Sequence, residues 1–260
     1  MKLPKLISIN ADAKTIKGTG QGYLTGICYL SPASIAGLGN LCPHASPGCR
    51  TACLYTAGRA GIFESINKAR LARTRLLFAD RKAFSGQLEK EISALVRKAD
   101  RDGLIPVVRL NGTSDLTVES IFPHLFTLFR KVQFYDYTKS PRRAKAWAEG
   151  KLPRNYHLTF SLSEENEGDA TDLLEAGVNV AMVARNWKPG MKWIPFGRIL
   201  PEVFGNVGPY ETFDADLSDL RFLDKPAKTG RGRVGILKAK GKARKDVSGF
   251  VVNLSHRSIS

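Results

Sequence analysis

Apolar and polar positions alternate along this chain in two rhythms, and their order predicts the architecture. Tyr23 to Tyr29 carries β-forming residues and stops at Ser31-Pro32, which predicts a first strand. Ile62, Ile66, Ala69, Ala72, Leu76 and Ala79 then recur at helical spacing, and Phe84, Leu88, Ile92 and Leu95 mark a second amphipathic helix. From there strands and helices take turns. Ile105–Leu110, Val132–Thr138, Tyr156–Ser161 and Val178–Val183 read as strands. Between them lie a helix over Thr117–Lys131 disturbed by Pro123, a helix capped by Ser140 with Pro141 at its first position, and a helix over Asp169–Ala176 ended by Gly177. After Trp187 the pattern weakens, leaving Leu220–Leu223 and Val234–Leu237 as short strands among Gly/Lys-rich loops. The β-α-β order predicts an α/β fold with a parallel sheet, either open or a partial (βα) barrel, as one domain over residues 1–260.

One segment breaks the rhythm. Ser31 to Gly61 is rich in Gly, Pro and Ser and long for a loop without structure, which suggests a functional role. All four cysteines lie between positions 28 and 53. The start of the chain has no signal-peptide pattern, so we expect a cytoplasmic protein with reduced thiols rather than disulfides. Cys42 and Cys49 are separated by six residues and Cys49 and Cys53 by three, while Pro43, Pro47 and Gly48 turn the chain back. Soft thiolates select an iron–sulfur cluster or zinc. The Cys49/Cys53 pair alone has zinc-like spacing, and His44 or Cys28 would have to complete a zinc site. A 4Fe-4S cluster on the loop 42–53 is the leading expectation and zinc the alternative, with Cys28 a further candidate ligand that also suits a buried core position.

Charge adds a candidate partner. The chain has 40 Lys+Arg against 24 Asp+Glu, a formal net charge of +16, which suits a nucleic acid or nucleotide. The surplus gathers at Lys68–Lys82 and in the segment 225–247, where Lys228, Arg231, Arg233, Lys238, Lys240, Lys242, Arg244 and Lys245 stand almost unopposed. That segment is either a phosphate-tracking tail, independent of the cysteine loop, or a solvated face whose Val234, Ile236 and Leu237 fold back. Asp214, Asp216, Asp219 and Asp224 lack the spacing of a calcium loop and are read as balancing the basic tail. No apolar run approaches the roughly 20 residues that span a bilayer.

The runs Tyr29-Leu-Ser-Pro-Ala33 and Asn40-Leu-Cys-Pro-His-Ala-Ser-Pro-Gly-Cys-Arg-Thr-Ala-Cys-Leu-Tyr-Thr-Ala-Gly-Arg59 resemble the phage gene product 88 family. The resemblance continues through Arg109–Asp115, Phe134–Lys139, Asn155–Glu164, Asp219–Asp224 and Gly249–Val251. It implies a phage or prophage origin, hence the host cytoplasm, and a motif centred on Cys42, Cys49 and Cys53. The layout of three cysteines after a first strand is also similar to that of radical S-adenosylmethionine enzymes, where a fourth iron binds the cofactor. The spacing here differs from theirs, and Asn111-Gly112-Thr113 stands where they carry Gly-Gly-Glu.

In a parallel sheet the C-terminal strand ends build the site. Those ends carry Arg109, Asn111, Ser114 and Asp115, then Tyr135, Asp136, Tyr137 and Lys139, then Ser161, Ser163 and Glu164. Alternation places Arg109 with Asn111, and Tyr135 with Tyr137 and Lys139. Arg109 and Lys139 suit a carboxylate or phosphate, Asp115 and Glu164 an amine or proton transfer, and Asn111 and Ser161 a bound cofactor such as S-adenosylmethionine. For each residue taken singly, helix capping or internal pairing is an equal alternative. The sequence therefore supports an iron–sulfur protein of redox or radical type acting on a nucleotide or nucleic acid, against a non-enzymatic nucleic-acid binder with a structural metal.

Overall fold

The computed structural model describes residues 3–9, 13–188, 193–194 and 210–254. The elements run β1 (Ile7–Ile9), α1 (Ala13–Thr19), β2 (Tyr23–Cys28), α2 (Pro47–Thr51), α3 (Glu64–Ala79), α4 (Arg81–Arg101), β3 (Ile105–Arg109), α5 (Val118–Ile121) and α6 (Pro123–Leu128). There follow β4 (Gln133–Thr138), α7 (Pro141–Ala148), β5 (Tyr156–Ser161), α8 (Glu167–Glu175), β6 (Val180–Arg185), β7 (Trp193–Ile194), β8 (Tyr210–Asp214), β9 (Val234–Lys238) and β10 (Val252–Asn253). The strand order is β1-β2-β3-β4-β5-β6-β9-β8-β7, with β10 beside β6. From β2 to β8 every neighbouring pair is parallel, while β1 and β7 pair antiparallel at the two ends. The fold is thus mixed α/β on an open, mostly parallel sheet, and no ring closes among the described residues.

Local chemistry explains most boundaries. Asp80 caps α4 by accepting from Ala83 N, and Phe84, Leu88, Ile92, Leu95 and Ala99 form its buried stripe. Ser140 accepts from Arg143 N at the start of α7, with Pro141 in the first turn. Pro123 divides the expected helix over Thr117–Lys131 into α5 and α6, and Gly177 takes the left-handed conformation (φ +84°) that stops α8. Leu220–Leu223, expected as a strand, is instead a 3-10 turn over Arg221–Leu223. Its Leu220 and Phe222 are used as caps on the sheet, packing against Tyr23, Val107 and Tyr135. The expected structureless loop Ser31–Gly61 contains α2 and 3-10 turns at Leu54–Thr56 and Gly58–Gly61.

The two faces of the sheet are different. Leu24, Cys28, Val108, Leu110, Phe134 and Leu158 pack with α4 and the α5–α6 pair in one core, and Phe160, Val180 and Met182 pack with α7 and α8 in another. The opposite, inner face carries Arg109, Tyr135 and Tyr137 and is covered by the 215–224 segment. The basic segment 225–247 is not a free tail. Val234 and Ile236 are fully buried, and β9 lies inside the sheet between β6 and β8.

On β5, burial and then the charge of Arg221 push the His157 imidazole from 6.5 down to about 4. The unfolded chain binds that proton first, so this contribution to stability is full above pH 6.5 and disappears as pH falls toward 4. His157→Gln is expected to flatten the acid limb of the stability curve, read from urea unfolding of both proteins across pH 4 to 7. Parallel limbs would refute it.

Candidate functional site

The cysteine loop begins where β2 ends and is folded onto the C-terminal ends of β3, β4 and β5. Thr113 Oγ1 donates to the Leu30 carbonyl (2.5 Å), Asp115 N to the Leu41 carbonyl (2.8 Å), and Ser31 N to Thr74 Oγ1 on α3 (2.9 Å). Within the loop, Ala33 N donates to Cys42 Sγ (3.3 Å), Cys42 N to Asn40 Oδ1 (2.9 Å) and Tyr55 N to Cys53 Sγ (3.5 Å). Ser46 caps α2 by accepting from Cys49 N, and its hydroxyl donates to Glu164 Oε2 (2.8 Å). Glu164 Oε1 accepts from Gly48 N (2.6 Å), so one carboxylate from the β5 end fixes the turn that carries Cys49.

Cys42, Cys49 and Cys53 are each partly exposed; Cys53 and Cys49 lie near enough to Cys42 for their charge to act on it, and Cys49 acts likewise on Cys53. Burial pushes the Cys42 thiol up to about 11, against the lowering effect of the Ala33 N–H. Burial also raises Cys53, with the Tyr55 N–H and the cations Arg70 and Lys139 opposing it. Cys28 is elsewhere. It is 2% exposed in the helix-side core among Leu77, Phe84 and Leu88, where burial raises its thiol to about 12. His44 is exposed on the loop.

Gly48 is required by close approach. A Cβ at this position would stand 2.6 Å from Glu164 Oε1 and 2.8 Å from Phe250 Cβ. Gly48→Ala is therefore expected to destabilise the protein by about 1–3 kcal/mol, the usual range for overpacking. Thermal unfolding measures it, and an unchanged midpoint would show that the contact relaxes freely.

The strand-end residues divide into three groups. Lys139 and Ser161 meet directly, Nζ donating to Oγ at 2.6 Å, and Lys139 Nζ also sits 5.4 Å from the Phe250 ring centre. The Lys139 charge also opposes the rise of the Cys53 thiol. Asp115 and Glu164 act on backbone: Asp115 accepts from Lys139 N (2.8 Å) and from Arg143 Nη1 (2.7 Å), and Glu164 holds α2 as described. Arg109 and Tyr135 lie deeper on the inner face with Asp219. Arg109 Nη1 is 3.3 Å from its Oδ2, and the Tyr135 hydroxyl donates to the same oxygen at 2.8 Å. Arg109 also stacks on Tyr137 (4.7 Å).

Asn111 does not share a face with Arg109, as alternation suggested, because β3 has ended before it. Its amide nitrogen donates to the Leu116 carbonyl and Asp136, and its oxygen accepts from Ser114 and Leu116 N, so all four side-chain positions are taken. Asp136 likewise lies in the interior, fully buried. It accepts from Asn111 N and the Tyr156 hydroxyl, and burial raises its carboxyl to about 7.

Sequence reasoning read Arg70 only as one of the basic residues of the Lys68–Lys82 stretch and gave Tyr29, Tyr55 and Phe250 no role of their own. Nothing in the pattern of α3 separates Arg70 from Lys68 or Arg73; only the fold turns it inward. The expected independence of the basic segment from the cysteine loop is also corrected. Ala243, Phe250 and Val251 pack with Ala52 and Cys49, and a Cβ on Gly241 would lie 2.9 Å from Ala57 Cβ. The 3-10 turn Gly241–Lys245 thus abuts the end of the loop, with Lys242, Arg244 and Lys245 exposed. Arg231, Arg233 and Lys240 pair with Glu175, Glu211 and Asp216. Of the acidic group, Asp219 and Asp224 pair with the interior arginines Arg109 and Arg221 rather than with the basic segment.

Among the described residues no group of three or more His, Cys, Asp or Glu side chains is disposed to hold a metal ion. A tetrahedral zinc with Zn–S near 2.3 Å needs its sulfurs about 3.8 Å apart, so such a closed site is not preformed. No helix among the described residues is long and apolar enough to cross a membrane.

The class defined here is an α/β protein whose parallel strands present a thiol-bearing loop at their carboxyl ends. Over residues 5–254 the chain matches the family described as Gene product 88, and it belongs to that family of phage gene products. No curated protein and no solved structure gives a significant match.

Proposed function

We propose that the chain is an iron–sulfur protein whose Cys42, Cys49 and Cys53 hold a 4Fe-4S cluster, and that it acts by redox or radical-type chemistry on a nucleotide or nucleic acid. The observation that supports this reading is the loop of three partly exposed thiols at the carboxyl edge of parallel strands, with Lys139, bonded to Ser161, acting on Cys53. The donor set fits. Three soft thiolates suit a cluster, in which each binds its own iron, so the sulfurs need not approach as closely as around a single ion. Bound there, a cluster supplies one-electron chemistry. The chain's own residues position the loop: Glu164 clamps α2, Asp115 fixes Lys139, and Phe250 closes one wall. Lys242, Arg244 and Lys245 on the adjoining turn supply the positive surface that favours a phosphate-bearing substrate.

S-adenosylmethionine is a narrower form of this reading. Asn111, expected to bind it, has every position taken within the fold, and Ser161, which accepts from Lys139, keeps only its hydroxyl hydrogen. The residues as placed do not fit that cofactor, and we derive no step through it. The alternative, a structural metal in a nucleic-acid-binding protein, draws support from the packing of Cys49 with Ala52, Ala243 and Phe250, since a metal there would staple the loop to the C-terminal segment. Iron, sulfide and zinc analysis of anaerobically purified protein tests the proposal. Stoichiometric zinc without sulfide would overturn it.

A further inference from the structure

We propose that the thiol loop carries a phosphate subsite, in which Arg70 and Lys139 receive a phosphate group of a nucleotide or nucleic acid beside Cys53. The substrate class rests on the reading above; the anion site rests on the geometry of Arg70.

Arg70 is 5% exposed, and its guanidinium carbon lies 5.3 Å from the Tyr29 ring centre and 5.2 Å from that of Tyr55. Its Nε and Nη1 are buried without a hydrogen-bond partner among the described residues. Other buried arginines are treated differently by the fold. Arg221 also has Nε and Nη1 without a hydrogen bond, but its Nε lies 3.1 Å from an Asp224 oxygen and its Nη2 donates to the Ser218 carbonyl. Arg73, one turn later, donates to the Lys5 and Tyr29 carbonyls, while Arg109 and Arg143 each face carboxylates. Aromatic faces stabilise a cation, but they supply no in-plane acceptor for its N–H groups. A buried cation lacking such an acceptor weakens the fold, which marks the position as one that an anion completes.

The surroundings say which anion. Arg70 lies over the ring of Tyr55, two residues from Cys53, and Lys139 over the ring of Phe250, which packs with Ala52 and Cys49, so the two cations flank the same end of the thiol loop. The carboxylates nearby are engaged elsewhere, Asp115 with Arg143 and the Lys139 backbone, Glu164 with Ser46 and Gly48. Ser161 accepts from Lys139, which leaves its hydroxyl hydrogen to donate. Three further exposed cations, Lys242, Arg244 and Lys245, continue outward on the turn that abuts Thr56 and Ala57. Several donors with a basic approach suit a phosphate within a longer anionic chain better than a lone carboxylate.

Calorimetric titration of the full chain with inorganic phosphate, a nucleoside 5′-monophosphate, the corresponding nucleoside and acetate tests this. Phosphate and the nucleotide are expected to bind, the nucleoside and acetate far more weakly. Arg70→Gln should weaken nucleotide binding by about tenfold or more, the effect of losing a hydrogen bond to a charged group. Arg75→Gln, exposed on the same helix, should leave it unchanged. In phosphate-free buffer Arg70→Met should melt no lower than the wild type, because it removes an uncompensated buried charge. The proposal is overturned if wild-type protein ignores phosphate and nucleotide up to about 10 mM, if Arg70→Gln binds like the wild type, or if Arg70→Met melts well below it. Iron and sulfide are assayed in the same samples. Arg70-dependent phosphate binding by iron-free protein keeps the subsite and rejects the cluster, whereas iron-loaded protein indifferent to phosphate rejects the subsite alone.

Discussion

Anaerobically prepared protein is expected to be brown, to contain iron and inorganic sulfide, and to lose both in Cys42→Ala, Cys49→Ala and Cys53→Ala. The three positions are expected to act alike because each would bind a separate iron; removing one leaves two thiolates, too few to retain the cluster. Cys28→Ser should keep most of the iron, since its side chain packs against Leu77, Phe84 and Leu88 in the helix-side core. That contrast is the informative part. A general loss of fold would remove iron from all four variants, and a zinc site completed by Cys28 would make Cys28→Ser as damaging as the rest. Because burial raises the Cys42 thiol to about 11, metal binding must displace its proton, and reconstitution should be favoured by rising pH across the neutral range. Colourless protein with full zinc occupancy would remove the iron–sulfur reading and leave the stapled loop.

Much of the fold was legible because its elements are long or punctuated. The α4 stripe, the Ser140-Pro141 start of α7 and the glycine stop after α8 are local signals, and the structure reproduces them. The missed elements are short and owe their state to neighbours. β1 and β10 have three and two residues, and β10 pairs with Ala184 and Arg185 beyond the residues of β6 that β5 contacts. The site was half legible. Clustered cysteines and polar strand ends suggested one edge of the sheet, where the fold does place them, but sequence spacing could not show that Glu164 clamps α2 or that the segment around Ala243 returns to the cysteine loop. Arg70 was hidden for the same reason: a basic residue among basic residues becomes distinct only when the fold buries it between two rings.

Arg143→Met is expected to cost about 3–5 kcal/mol of stability, the range for breaking a buried ion network by removing one partner. Arg143 is 5% exposed and donates through Nε and Nη2 to the two oxygens of Glu119, each at 2.8 Å, and through Nη1 to Asp115 at 2.7 Å. Burial alone would lower its pKa, but Tyr156, Glu119 and Asp115 outweigh that and raise it, so it stays charged. Methionine fills similar space but strands two buried carboxylates without their cation. An exposed pair gives the scale for comparison. Lys98→Met removes a contact of 2.7 Å to Asp102 on α4, but both groups are well exposed and the loss should stay below about 1 kcal/mol. Adding Glu119→Met and Asp115→Asn to Arg143→Met should recover part of the deficit, because the penalty lies in the unpaired charges rather than in the lost attraction. The recovery has a functional limit. Asp115 also accepts from Lys139 N, so the triple variant is expected to regain stability while holding Lys139 less firmly beside Ser161. Urea unfolding of the four proteins measures the differences. An Arg143→Met loss no larger than that of Lys98→Met would show that the network does not hold the β3 and β4 ends together.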